Sequence, residues 1–223
     1  MCRVCAFIGP TTMIATLFAA ALFAELVGYL LHRVLHSDLI PSLSRSHLIH
    51  HLVHYGPQQP MRTPAYQDAT VGRLALGNVG MEWTVPIALI LLLCWGGMNL
   101  LGVSWPYQLV ALITMISWAV FMFSYLHDRM HLEDFWMARA PLFKNWFLRA
   151  RRLHDIHHHS LNDHGQMDRN FGIGFFFFDR LFGTLRKRHF SLNKHGYRAA
   201  LRRYHLEHQC EEDSSSFQSG FRV

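Results

Sequence analysis

Apolar positions in this chain fall into long blocks, separated by polar stretches that carry most of its histidines. The first block, Thr11 to Leu31, is about 20 residues long and matches a bilayer core at 1.5 Å of rise per residue. It runs into His32 with no small-residue cleavage site before it, which reads as a retained anchor rather than a signal peptide. Two more blocks, Trp83 to Leu101 and Trp105 to Leu126, contain no charged residue and are joined through Gly102 and Pro106. Trp83, Trp105 and Tyr107 sit near block ends, where amphipathic rings favour the headgroup level. The pattern predicts three membrane-spanning helices.

The polar stretches are less regular. Residues 37–78 are interrupted by Pro41, Pro57, Pro60 and Pro64, and the periodicity predicts one helix there, around Ser44 to Tyr55. Lys144 to His154 alternates Trp146, Phe147 and Leu148 with Lys144, Arg149, Arg151 and Arg152, the pattern of a helix lying on an anionic surface. Phe175 to Phe178 is too short to cross a bilayer and suits an interface, a channel lining or a packing helix. From Cys210 onward the chain reads as a solvated tail. The expected architecture is all-α: an integral membrane domain over residues 1–209, with about three spans and a histidine-rich helical cap, and a polar tail over 210–223.

Composition narrows this further. With 51% hydrophobic and 16% charged residues the chain is too apolar for an ordinary soluble domain. Sixteen of the 21 Lys and Arg lie from Arg129 onward. With an odd number of spans, the positive-inside rule then puts both histidine regions and the basic C-terminal third in the cytoplasm. The net charge of +6 is read as a membrane-facing property, with no nucleic-acid partner expected. Cys2 and Cys5 have metal-site spacing but no second pair, so they make no zinc site.

The chemistry is carried by histidine. His32 and His36, then His47, His50 and His51, recur as His127 and His131, then His154, His157 and His158. Spacings of three and four residues put imidazoles on one helix face, so each group can converge on a point beside its helix. Ten imidazoles exceed a four-ligand structural zinc site and a three-ligand hydrolytic one. They suit a pair of metals with about five nitrogens each and an open position, able to take O2 to an unactivated C–H bond.

Glu25 falls on the same face as Tyr29, His32 and His36, which reads either as a carboxylate turned toward the site or as a partner of a neighbouring helix. Asp128 and Asp155 either hold an imidazole tautomer or pair with Arg129 and Arg152. Asn170 is read as a turn residue rather than a group approaching metal through water. His159 and His164 have weaker claims than the ten, and His54 is left out.

The boxes His32-Arg-Val-Leu-His36, His47-Leu-Ile-His50-His51, His127-Asp-Arg-Met-His131 and His154-Asp-Ile-His157-His158 resemble those of the fatty acid hydroxylase/sterol desaturase superfamily, integral-membrane di-iron enzymes. Asn170-Phe-Gly172 and Asp179-Arg-Leu-Phe-Gly-Thr184 are similar to stretches that follow the last box there, so the resemblance covers roughly Glu25 to Thr184. It implies two Fe ions held by the ten histidines, O2 as co-substrate, and hydroxylation or desaturation of a fatty acyl or sterol-like lipid in lipid biosynthesis. No haem-binding His-Pro-Gly-Gly segment is present, which implies a separate electron donor of the ferredoxin or cytochrome b5 type. Carotenoid hydroxylases of the superfamily tend to space the first and third boxes one residue wider, leaving carotenoids as the alternative substrate. A histidine-rich metal transporter is a reading from another class, but it calls for ligands within several spans, and the second and third blocks carry no histidine before His127. Single facing histidines, as in a membrane cytochrome, do not fit clustered pairs and triplets.

Overall fold

The structure, a computed structural model, describes residues 9–37, 39–57, 59–70, 84–189 and 191–207. Cys2, Cys5, Trp83 and the tail from Cys210 lie outside these. Among the described residues the chain is all-helical, with isolated bridges at Arg62–Leu132 and Leu161–Met167 and no strand.

Helix α1 spans Pro10–Leu35, with Pro10 in its first turn, where a missing N–H is harmless. Helix α2 spans Pro41–Ile49 and widens into a π-helical turn at His50–His54, marked by the Tyr55 N–H donating to the His50 carbonyl at 2.9 Å. Pro41 therefore starts this helix rather than interrupting the chain ahead of it. Pro64 likewise opens a short helix, α3 (Pro64–Thr70), which the polar pattern did not reveal. Helix α4 spans Thr84–Leu100, and α5 spans Trp105–Ala119. α5 continues as a π-type turn over Val120–Leu126 and finishes as α-helix at His127–Arg129. Helix α6 spans Lys144–His159, α7 spans Phe177–Leu181 and α8 spans Lys194–Arg203.

Two helical stretches are long and apolar enough to cross a membrane, Pro10–Leu35 and Trp105–Arg129. Only 28% of each apolar window is buried, whereas a core helix of a soluble protein is mostly enclosed. Phe18, Leu22, Leu93, Leu100 and Ile113 all point outward from these helices and α4. Exposed apolar side chains along these helices are what contact with lipid or with an apolar partner requires. α4, within the second expected span, is described over 17 residues, about 25 Å at the α-helical rise, and begins next to residues outside those described.

α1 packs lengthwise on α5 through small side chains. Ala20 and Ala24 meet Ala111 and Met115, with Cys94 and Met98 of α4 against them. One turn further, a Cβ on Gly28 would stand 2.0 Å from the Phe123 ring, so only glycine admits this approach. Glu25 accepts a hydrogen bond from the Trp118 indole at 2.9 Å, tying α1 to α5. Of its two sequence readings, the neighbouring-helix partner is the one the structure bears out.

Beyond the apolar layer lies the cap. α6 is two-faced: Lys144, Leu148, Arg149 and Arg152 are exposed, while the opposite face turns inward. Phe147 is fully buried, with Ala150, Leu153 and Ile156 beneath it, and the Trp146 indole donates to the Gly174 carbonyl. Arg151 is also structural, donating to the Leu132 carbonyl at 2.8 Å and lying over the Phe147 ring. The phenylalanine run divides: Phe178 packs on Tyr29, Phe175 stacks on Trp118, and Phe177 is exposed.

Gly28→Ala should force the Phe123 ring aside and lower stability by about 1–3 kcal/mol, as overpacking does. Gly97→Ala, where nothing lies within 4 Å, should not. Thermal unfolding in detergent compares them, and equal melting temperatures would contradict the close approach.

Candidate metal centre

The end of α1, α2 with its π turn, the end of α5 and the last turns of α6 deliver ten buried histidines to one place, none more than 8% exposed. They form two groups. Nε2 of His36 lies 3.0 Å from Nε2 of both His47 and His157, and His47 lies 3.0 Å from His51. His32 completes this group, within 4.8 Å of His36, His47 and His51 and with its ring 4.6 Å from that of His157. In the second group, His131 Nε2 is 3.1 Å from both His50 and His154, and His154 is 3.2 Å from His158. The His127 ring joins it, 4.6 Å from His50 and 4.7 Å from His154.

The division crosses the two halves of the chain. In each His-x-x-His-His box the outer histidines, i and i+4, serve their own half, and the middle one crosses over. His50 crosses to the group built on the second half, and His157 to the group built on the first. The two groups touch, with the His51 and His158 rings 4.0 Å apart.

Backbone carbonyls set the tautomers. Nδ1 of His32 is 2.6 Å from the Phe171 carbonyl, His131 2.8 Å from Pro60, His157 2.6 Å from Arg169 and His158 2.9 Å from Tyr55. A carbonyl can only accept, so in all four rings the hydrogen is on Nδ1 and Nε2 is a bare lone pair. His154 Nε2 faces two such lone pairs, on His131 and His158, and one N–H can satisfy only one of them. A cation satisfies both. His32 Nε2 and His127 Nε2, also buried, have no hydrogen-bond partner among the described residues. Metal–nitrogen bonds of about 2.1 Å put adjacent donors about 3.0 Å apart in an octahedron and about 3.4 Å in a tetrahedron. Five of the observed edges, at 3.0 to 3.1 Å, lie nearer the octahedral spacing, and the sixth, His154–His158 at 3.2 Å, falls between the two.

Burial, and then the neighbouring imidazoles, hold His36, His47, His50, His51, His154, His157 and His158 well below the ordinary histidine pKa. Burial takes His131 down to about 3, against the opposing bond to Pro60. The cap side of the cage is therefore neutral at pH 7, as metal donors must be.

A second set of residues holds the cage in register. Asp179, fully buried, accepts from the Phe171 and Gly172 N–H groups and from the Thr184 hydroxyl, each at 2.7 Å. A Cβ on Gly172 would lie 2.8 Å from that carboxylate. Tyr29 bonds Thr184 at 3.0 Å, and the clamped Phe171 carbonyl is the one that orients His32. Asn170, at φ 54, donates to the Leu153 and Arg186 carbonyls and accepts from the Arg186 N–H. Its amide is committed to backbone far along the chain, so it braces the fold rather than approaching a metal, although residues 170–172 form no hydrogen-bonded turn.

Other sequence readings divide. Arg129 donates to Gln67 and acts on Asp128 through its charge rather than a hydrogen bond, and the Asp128 carboxylate is 3.9 Å from His127 Nδ1, too far for one. Asp155 feels Arg151 and His189 rather than Arg152. His159 bonds its own helix at Asp155 and meets His189 edge to face, and His164 is exposed, so neither enters the cage. The orienting carbonyls of Tyr55, Pro60, Arg169 and Phe171 carry no side-chain signal and went unread. Asp179 had one signal, its place in Asp179-Arg-Leu-Phe-Gly-Thr184.

A cavity of about 310 Å³ leads from the apolar layer to the cage. Its walls come from α1, α4 and α5, among them Leu31, Ile87, Ile116 and Phe123, and His32, His47 and His127 also line it.

A family model described as fatty acid hydroxylase matches residues 17–184. No curated protein and no solved structure gives a significant match.

Because the folded cage refuses protons that the unfolded chain takes up near pH 6.5, its contribution to stability is complete above that pH. It is lost as pH falls from 6.5 toward about 3, the value of His131. Bound metal followed by elemental analysis across a pH series should fall in that window. Release setting in above pH 7 would contradict the neutral cage.

Proposed function

The chain belongs to the fatty acid hydroxylase family, and from that premise we propose that it is a membrane-bound di-iron oxygenase that hydroxylates or desaturates a lipid chain. One observation carries the reading: two groups of five imidazoles, four in each joined by nitrogen–nitrogen edges of 3.0 to 3.2 Å, meet at the inner end of an apolar cavity. His32, His36, His47, His51 and His157 would hold one iron, and His50, His127, His131, His154 and His158 the other. Hydroxylation balances as one oxygen atom of O2 entering a C–H bond and the other leaving as water, with two electrons and two protons supplied; the bound irons furnish this oxidising chemistry.

The protein's own part is positioning and exclusion. Leu31, Ile87, Ile116 and Phe123 offer an apolar chain a dry path to His32, His47 and His127. The carbonyls that hold Nδ1–H keep the lone pairs aimed inward, so the donors are in place before substrate arrives. The cap helices and the Asp179 clamp close the far side.

In this reading α1, α4 and α5 are the three spans, and the cap and C-terminal region face the cytoplasm, as the Lys and Arg distribution favours. Electrons come from a separate acidic donor, a ferredoxin or cytochrome b5 type, docking on exposed Lys187 and Arg188 or on Arg149 and Arg152.

Purified protein should carry two irons per chain, and oxygenated lipid should appear in membranes of cells expressing it. His50→Ala and His157→Ala should each lower iron content and abolish that product, because each removes the donor that crosses between halves. One metal per chain, or full iron retention in both variants, would end the di-iron reading. For the donor, Lys187→Glu with Arg188→Glu, or Arg149→Glu with Arg152→Glu, should slow stopped-flow reduction severalfold at low salt with iron content unchanged. Reduction rates indifferent to both pairs and to salt would remove these docking surfaces.

A further inference from the structure

One polar side chain in the cavity wall has no partner. Ser124 is 3% exposed, lines the cavity, and its hydroxyl makes no hydrogen bond among the described residues. A serine or threonine in an apolar helix ordinarily donates to the carbonyl four residues back. Thr16 does so to Thr12 at 2.8 Å, and Thr114 to Val110 at 2.7 Å. Ser124 lies instead in the π-type turn Val120–Leu126, and the bond to Val120 is not made. Turns of this kind, inserted in an α-helix, recur at functional sites.

Its surroundings define what it can bind. Apart from the three histidines, every other wall residue of this cavity is apolar. Ser124 is three residues before His127, and both line this cavity. An unpaired buried hydroxyl is unfavourable unless a ligand completes it, which makes such a group selective for ligands that can.

We propose that Ser124 positions the substrate: its hydroxyl hydrogen-bonds an oxygen function, a hydroxyl or a carbonyl, on an otherwise apolar chain and so sets which C–H faces the histidine cage. The substrate class is thus an amphiphile whose polar group lies close to the oxidised carbon, rather than a plain hydrocarbon. The assignment rests on the oxygenase reading for its catalytic meaning, but binding tests it separately.

The test uses the iron-loaded full chain in phosphatidylcholine nanodiscs with two probes, hexadecanol bearing a mid-chain diazirine and the corresponding hexadecane. Photolabelling is read on cavity residues other than Ser124. The alcohol should half-saturate at a concentration about two- to tenfold lower than the alkane, the range of one hydrogen bond. Ser124→Ala should erase the difference at unchanged iron content, and Ser124→Thr, which keeps the hydroxyl, should restore it. Equal half-saturation in the unaltered chain, or a preference that survives Ser124→Ala, overturns the proposal. A second arm analyses lipid products in expressing cells, where Ser124→Ala should spread oxidation over more chain positions. Unchanged positions would sink the Ser124 assignment while leaving the oxygenase reading intact. Absence of any oxidised lipid from the unaltered chain would sink the oxygenase reading, with the labelling arm still deciding Ser124.

Discussion

Buried lone pairs that face one another are the constraint on which this structure turns. Ten imidazoles are enclosed away from water, and in at least four the hydrogen is drawn outward to a backbone carbonyl, leaving Nε2 bare toward the centre. Such an arrangement is unfavourable by itself, because unsatisfied acceptors at about 3 Å repel and have lost their water. A cation turns each of those contacts into a bond. Metal binding and completion of the cap are therefore coupled, with binding free energy acting as folding free energy.

That coupling explains why the chain is wound as it is. Each half supplies four donors to one group and a single donor to the other, so neither half closes a site alone. The segments that look like connections are the orienting layer: Tyr55 and Pro60 hold His158 and His131, and Arg169 and Phe171 hold His157 and His32. Asp179 then ties the Phe171 segment to Thr184 and, through Tyr29, back to α1. The close Gly28–Phe123 approach brings α1 and α5 together just before each ends in its histidine box, so helix packing in the apolar layer sets the spacing of the cage.

Much of this was legible in the sequence, for physical reasons that differ by element. Apolar blocks bounded by polar residues placed α1, α4 and α5 to within a few residues, because burial in lipid leaves a composition signal as well as a periodic one. Spacings of three and four placed the ten histidines on common faces, and all ten are in the cage. The crossing of His50 and His157 was not legible, since it depends on how two helices meet and on the π turn that begins at His50. α6 was legible on one face only: Lys144, Leu148, Arg149 and Arg152 are exposed as a surface helix requires, whereas tertiary packing alone shows Trp146, Phe147 and Arg151 turned inward. Pro41 and Pro64 read as breaks because proline ends helices more visibly than it starts them, although the first turn tolerates it. Backbone carbonyls have no letter in the sequence, so the orienting layer could be found only in three dimensions.

The central claim of the di-iron proposal is that the protein's own donors to each metal are imidazole nitrogens alone, about five of them, leaving the remaining position to oxygen. X-ray absorption at the iron edge of the purified, iron-loaded protein measures this directly. The account predicts a first shell of nitrogen and oxygen scatterers with strong multiple scattering from roughly five imidazole rings per metal, in a six-coordinate environment with no sulfur. A four-coordinate shell, a sulfur contribution, or scattering from only two or three rings per metal would contradict it.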